Sequence, residues 1–392
     1  MRPPCFENDD FQHGLDTVLA ACRRGAADAG EALATAARIT DGDADSWVRE
    51  WIATAGGAWA AAGAAARAGR RVSARAHHLR AATYYAAALL QIALGSEPER
   101  EGELWRRQRT CWDRAVELFP VPGERIAIPY EAETLPGYFF RAPDAAAGEP
   151  RPLVVLNNGD AGTSQMWLAG GAAAAERGYH WMTFDGPGQQ AARFEQGLPF
   201  RPDWEAVLGP VADAMVARPD VDSRRMAVVG VGQGGYLVPR ALAFEHRFAA
   251  AVADPGVVDV AASWTDGLTP DLRAALARRD RFAFDRDMRL AELFSPATTA
   301  RLCCGGAPYG HANGSRFSLF AAVASYRLGD EVAGITTPLL VTDPDRERRW
   351  PGQAQRLFDR LTGPKQLARP AGDEGAALRE ARIFDWLDGY LT

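Results

Sequence analysis

Alanine and other small apolar residues recur between charged positions along residues 15–39, 47–68, 74–94 and 103–118, a pattern that predicts helices. Asp45-Ser46 ahead of Trp47 and Ser73 ahead of Ala74 supply polar starts of the kind that cap helices. Small faces let helices approach closely, so residues 1–122 read as a helical cap module. Packing without any contact to ligand is the alternative. From about residue 124 the period shortens, and residues 125–128 and 137–140 flank a proline-bounded turn that predicts a hairpin. Continuous apolar runs follow at 152–156, 180–184, 226–229, 249–253 and 338–341, separated by helical stretches such as 166–177 and 204–218. Buried strands alternating with helices predict a doubly wound, mostly parallel sheet across residues 123–392. Residues 260–330, rich in Arg, Phe and Leu, interrupt the alternation after the sixth strand and read as a lid insertion.

Composition removes several function classes. At 392 residues the chain exceeds one ordinary core, which fits an α/β domain with an added module. A net charge of −6 without a basic cluster argues against nucleic acid and anionic membranes. The pattern contains no long uninterrupted apolar run and no signal peptide, so the expected location is cytoplasmic. Five cysteines, Cys5, Cys22, Cys111, Cys303 and Cys304, lack the spacing of a metal or redox site, and no metal or cofactor is expected. A single lysine, Lys365 in a Gly-Pro-Lys turn, stands among 44 basic residues, a bias of high-GC genomes such as those of actinobacteria. The expected partner is a small-molecule substrate, with a homodimer left open.

The chemistry centres on residues 226–239, where the apolar run 227–229 feeds Gly230-Val231-Gly232-Gln233-Gly234 and then a helical stretch. A strand, a G-x-S-x-G turn and a helix form a nucleophile elbow with serine at its tip. Here the tip is Gly232, which has no side chain to attack anything. In that arrangement the general base is a histidine placed after the last strand, yet none of the six histidines, His13, His77, His78, His180, His246 and His311, lies beyond residue 311. The change Gly232→Ser alone would therefore give a hydroxyl without an activating partner.

Further strings place the chain beside a known family. They are Ile128-Pro129-Tyr130 with Leu135-Pro136-Gly137-Tyr138, Asn157-Asn158-Gly159, and Thr183-Phe184-Asp185-Gly186-Pro187-Gly188-Gln189. Gly197 to Trp204, Val252 to Gly256, Trp350-Pro351-Gly352-Gln353 and Phe384-Asp385-Trp386-Leu387 continue the set. Together they resemble the α/β-hydrolase branch that holds 2,6-dihydroxypseudooxynicotine hydrolase and fungal pigment enzymes that shorten polyketides by carbon–carbon hydrolysis. The resemblance implies an α/β-hydrolase fold and puts Arg346, in Thr342-Asp343-Pro344-Asp345-Arg346, in the register of the family's catalytic acid. It also implies that the histidine loop is shortened, since Gly372-Asp373-Glu374-Gly375-Ala376 runs directly into Ala377-Leu378-Arg379. Gln233 and Gly159 or Asp160 would supply the backbone N–H donors of an oxyanion hole.

Each candidate has a plain structural alternative. Gly232 is either a relaxed turn or room for a substrate lying across the elbow. Asp160 is an acid or base, or a helix cap. Asp254, at the carboxyl edge of the sheet, contacts ligand or merely shapes a turn. Tyr236, Tyr309, His311 and Trp167 are candidate substrate-binding neighbours, with a solvated loop position the alternative for His311. Three functions are consistent with this reading: a non-hydrolytic cyclase, lyase or condensation catalyst on a polyketide-like or aromatic molecule, an inactive binding or scaffolding protein, and a hydrolase with displaced machinery.

Overall fold

Every continuous apolar run identified above becomes a strand of one sheet. The computed structural model describes residues 5–159, 162–294, 302, 305–311, 314–345, 347–369 and 376–392. Contacts divide the chain into two units, Met1–Gly123 and Glu124–Thr392.

The first unit is helical, with helices Asp9–Ala20, Ala29–Ala36, Ala44–Arg67, Arg71–Leu89 and Glu101–Val116. The stretch expected as one helix over 15–39 is broken at Gly25, whose φ of 68° places it in the left-handed region that ends helices. Asp43 caps the third helix by accepting from the Ser46 N–H, two residues before the expected Asp45-Ser46 start. Ser73 lies inside the fourth helix, which begins at Arg71. Alanines form the close contacts, and bulk comes from buried Trp47, Trp51, Tyr84, Trp105 and Trp112. The Trp47 indole donates to the Ala87 carbonyl at 2.8 Å, which satisfies its polar edge inside the core.

The second unit is built on an eight-stranded sheet in the order β1-β2-β4-β3-β5-β6-β7-β8. Its strands are β1 Glu124–Tyr130, β2 Glu133–Phe140, β3 Arg151–Asn157, β4 His180–Phe184, β5 Val221–Val231, β6 Ala250–Asp254, β7 Leu339–Thr342 and β8 Lys365–Ala368. The β1–β2 and β2–β4 pairs are antiparallel, and the remaining pairs are parallel. Strands covered on both faces are mostly apolar, as in the fully buried β4 and β6, whose polar members are His180, Thr183 and Asp254. Lys365 was expected in a turn. It opens β8 instead, and its ammonium donates to the Phe358 and Leu361 carbonyls at the end of the preceding helix. The stretch 166–177 is two short helices joined by a π-helical turn over Trp167–Gly171.

Between β6 and β7 the described residues carry helices Ala262–Thr265, Pro270–Ala277, Arg281–Phe294 and Arg316–Val323. The Gln353 side chain clamps the root of this insertion, accepting from the Val258 and Asp259 N–H groups and donating to the Asp259 carbonyl. Among the described residues no helix is long and apolar enough to cross a membrane.

Candidate active site

The register of the parallel strands brings three chain segments to one edge. Asn157 of β3 pairs with Gly230 of β5, and Val231 pairs with Asp254 of β6. The carboxyl ends of these strands, where α/β sheets place ligands, therefore meet at the turn after β5. That turn is tight. A Cβ on Gly230 would lie 2.1 Å from the Gly234 carbonyl oxygen, one on Gly234 2.5 Å from the Asn157 oxygen, and one on Gly235 1.8 Å from the Pro255 oxygen. These three glycines let β5, the helix Gly234–Leu242 and the neighbouring loops approach at backbone distance.

Gly232 is different. It has φ 62°, and among the described residues other than its chain neighbours a Cβ there would meet nothing within 4 Å. The strand-to-helix turn thus has a left-handed tip with no side chain on it and no described residue crowding its Cβ position. Its own N–H donates to the Asp254 carbonyl at 2.8 Å. The following Gln233 caps the helix and makes no hydrogen bond through its backbone N–H among the described residues. Gly159 lies against it, since a Cβ on Gly159 would come 2.6 Å from the Gln233 nitrogen. The turn therefore offers a backbone donor at the positive end of a helix, and such a donor stabilises a developing oxyanion. Asp160 and Arg346, the other expected members of the site, lie outside the described residues.

The insertion reaches this turn through Tyr309. Its hydroxyl donates to the Gln233 Oε1 at 2.8 Å, and the neighbouring Pro308 carbonyl accepts from the Phe200 N–H at 2.7 Å. Around the Tyr309 ring stand Phe200 at 5.3 Å, Trp264 at 5.8 Å and Tyr326 at 5.1 Å between centroids. Tyr236, on the elbow helix, is buried and donates to the Pro202 carbonyl at 3.2 Å, while its ring packs 6.0 Å from Tyr326. Burial holds the Tyr236 and Tyr326 phenols well above the usual tyrosine range, so both remain neutral donors at ordinary pH. His311 follows in a loop, half-buried, with its N–H on the Gly306 carbonyl. Trp167 opens the π-helical turn after β3 and is half-buried.

Asp254 is 4% exposed, and both carboxylate oxygens are engaged. Thr342, at the end of β7, donates to Oδ1, and Arg379 pairs with Oδ2 at 2.8 Å. This is a charge-neutralising contact at the sheet edge. Sequence reasoning quoted Arg379 only as the residue following a shortened loop. No local signal marks it as the partner of an aspartate more than a hundred positions away.

Several of the strings that suggested the family do structural work at this edge. Trp204 donates to Asn157 Oδ1 at 2.7 Å, Gln189 donates to the Asn158 carbonyl, and Gln189 accepts from the Gly186 N–H at 2.8 Å. They fix the β3 and β4 loops beside the turn. Phe200 sits in one of these strings but was not singled out as a site residue.

Known proteins share this architecture. The prolyl oligopeptidase family profile matches residues 208–286, the stretch that contains the elbow. Hydrolase acrC of Aspergillus aculeatus is 34% identical over 255 residues, 61% of this chain and 60% of its own length. The 20-hydroxy-prefusarin hydrolase of Gibberella moniliformis is 32% identical over 262 residues, covering 65% and 62%. The chain spans about three fifths of the length of the curated relatives it matches. The crystal structure of 2,6-dihydroxy-pseudo-oxynicotine hydrolase shares the fold, with a TM-score of 0.73 at 18% identity over 95% of this chain and 96% of that one. The strand order, the glycine-packed turn after β5 and the structural neighbour agree on one architecture: the chain has an α/β-hydrolase fold and is similar to fungal proteins named as hydrolases.

Proposed function

We propose that this chain is a non-hydrolytic enzyme that holds a polyketide-like or aromatic small molecule over Gly232 and promotes a cyclisation, a lyase reaction or a condensation. The observation that carries this reading is the elbow itself, which has a glycine at φ 62° where an attacking side chain would stand. Beside it lies the Gln233 N–H, which makes no hydrogen bond among the described residues and is offered here as the donor to an oxyanion. The absence of any histidine after His311 and the arginine at position 346 support the same reading. Relatives named as hydrolases of small molecules, such as the 20-hydroxy-prefusarin enzyme, support the substrate class.

The physical logic needs no nucleophile. A preorganised N–H aimed at a developing enolate stabilises that charge, and one such donor is worth about 10²–10³ in rate. Holding two reactive centres of one molecule in contact supplies a further share through proximity. The purified chain, incubated with candidate pathway intermediates and followed by liquid chromatography and mass spectrometry, gives a product absent from the buffer control. An unchanged product profile would leave a ligand-holding protein in place of an enzyme. Covalent labelling by a fluorophosphonate would instead support a hydrolase with displaced machinery.

A further inference from the structure

The helix Arg281–Phe294 of the insertion is apolar on two faces, and the fold uses one of them. Phe284 and Met288 are buried, with the Phe284 ring 5.2 Å from Phe320 and 6.0 Å from Phe317 between centroids. On the other face Phe282 is 79% exposed, Leu290 59%, Leu293 76% and Phe294 85%. A helix turns ~100° per residue, so these four side chains, with Arg286 and Arg289, fall within a sector of roughly 140° opposite Phe284 and Met288. Single apolar residues scattered over a surface mean little, whereas four in a contiguous row mark a surface that meets something.

Charge selects the occupant. Asp285 accepts from the Ser315 hydroxyl and the Phe317 N–H, Glu292 pairs with Arg316 at 2.6 Å, and Asp287 pairs with Arg286 at 2.7 Å. The acids of this helix are thus turned inward or paired, while Arg281, Arg286 and Arg289 are exposed. The net charge of −6 carried by the whole chain does not describe this face, which sets guanidinium groups among Phe and Leu. A two-fold contact with a second copy would put these arginines against their own counterparts. A lipid interface accepts protruding Phe and Leu side chains without a matching pocket, and its phosphates take the arginines. We infer that the outer face of this helix docks on an anionic lipid membrane, with Phe282, Leu290, Leu293 and Phe294 entering the headgroup boundary and Arg286 and Arg289 meeting lipid phosphates. The buried face ties that surface to the candidate site through packed rings, since Phe320 stands 6.1 Å from Trp264, and Trp264 stands 5.8 Å from Tyr309.

The inference does not depend on any catalysis. Flotation of the full chain with vesicles of equal parts phosphatidylcholine and phosphatidylglycerol tests it, with pure phosphatidylcholine vesicles for comparison. The wild type floats with the anionic vesicles, binds the neutral ones about tenfold more weakly, and is released from the anionic ones as salt rises. Phe282→Ser with Leu293→Ser lowers the affinity for anionic vesicles about tenfold or more and leaves the melting temperature unchanged, because both side chains are exposed. Arg286→Gln with Arg289→Gln weakens binding to the anionic vesicles about tenfold and leaves the neutral ones unaffected. A wild type that ignores anionic vesicles overturns the inference; a Phe282-dependent dimer in light scattering would then assign the face to a second copy, and a monomer would leave an acidic protein as its occupant. Binding that survives all four substitutions overturns it too. So does a clearly lower melting temperature of the serine variant, which would show that the chain itself covers these side chains.

Discussion

Replacing Gly232 by serine separates the geometry of the elbow from its chemistry. Among the described residues the new Cβ meets nothing within 4 Å, and the cost is the left-handed backbone at φ 62°. A non-glycine residue in that region costs about 1–2 kcal/mol. Loss of glycine's freedom in the unfolded chain returns ~0.4–1 kcal/mol. The net effect is a destabilisation of ~1 kcal/mol, read as a fall of about 2–4 °C in melting temperature. Gly230→Ala is the control, because its Cβ would lie 2.1 Å from a backbone oxygen of the elbow helix, where neither partner can yield cheaply. That change costs about 3 kcal/mol or more. On the proposed reading, in which no base stands beside the elbow, the serine hydroxyl remains a weak nucleophile. Hydrolysis of p-nitrophenyl acetate therefore stays at the wild-type level, and a fluorophosphonate leaves the variant unlabelled. A burst of nitrophenolate or stoichiometric labelling would show that a base stands ready at the elbow and refute the chemical half of the argument. Melting of Gly232→Ser as low as that of Gly230→Ala would refute the geometric half.

Two further expectations follow from the same edge of the sheet. Arg379→Met leaves the Asp254 carboxylate buried without its cation and destabilises the protein by ~2 kcal/mol in urea denaturation, less than a fully buried pair because Arg379 is partly exposed. Adding Asp254→Asn recovers most of that loss, and additive losses in the double variant would show that the pair does not couple. The Tyr236 and Tyr326 phenols, raised by burial, ionise more readily in the unfolded chain than in the folded one. Their contribution to stability is complete below the ordinary tyrosine range near 10 and is lost as pH rises through the folded values. Tyrosinate absorbance in an alkaline titration should thus show a fraction of tyrosines that ionise only as the helical signal collapses. Ionisation of every tyrosine with the fold intact would contradict this.

Much of this protein was legible in the chain alone, for a local reason. Strands such as β4 and β6 are buried on both faces and so read as largely apolar runs. Gly230 and Gly232 are required by the turn itself, through the close Gly234 carbonyl and the left-handed φ, whereas Gly234 is required by the Asn157 carbonyl of β3. β8 escaped because Lys365–Ala368 is short, half-exposed and carries no period. The Leu15–Ile39 stretch looked continuous because alanine-rich composition hides a break that depends on one glycine.

The sequence by itself determined that the elbow's tip is a glycine and that residues 312–392 contain no histidine, since both are facts of covalent order. Tertiary structure alone decided what surrounds that tip. The Tyr309 hydroxyl meets Gln233 across 76 positions, and Arg379 meets Asp254 across a still longer interval. Such contacts arise from strand order and from the path of the insertion, and periodicity along the chain carries no record of which distant side chains that path brings together.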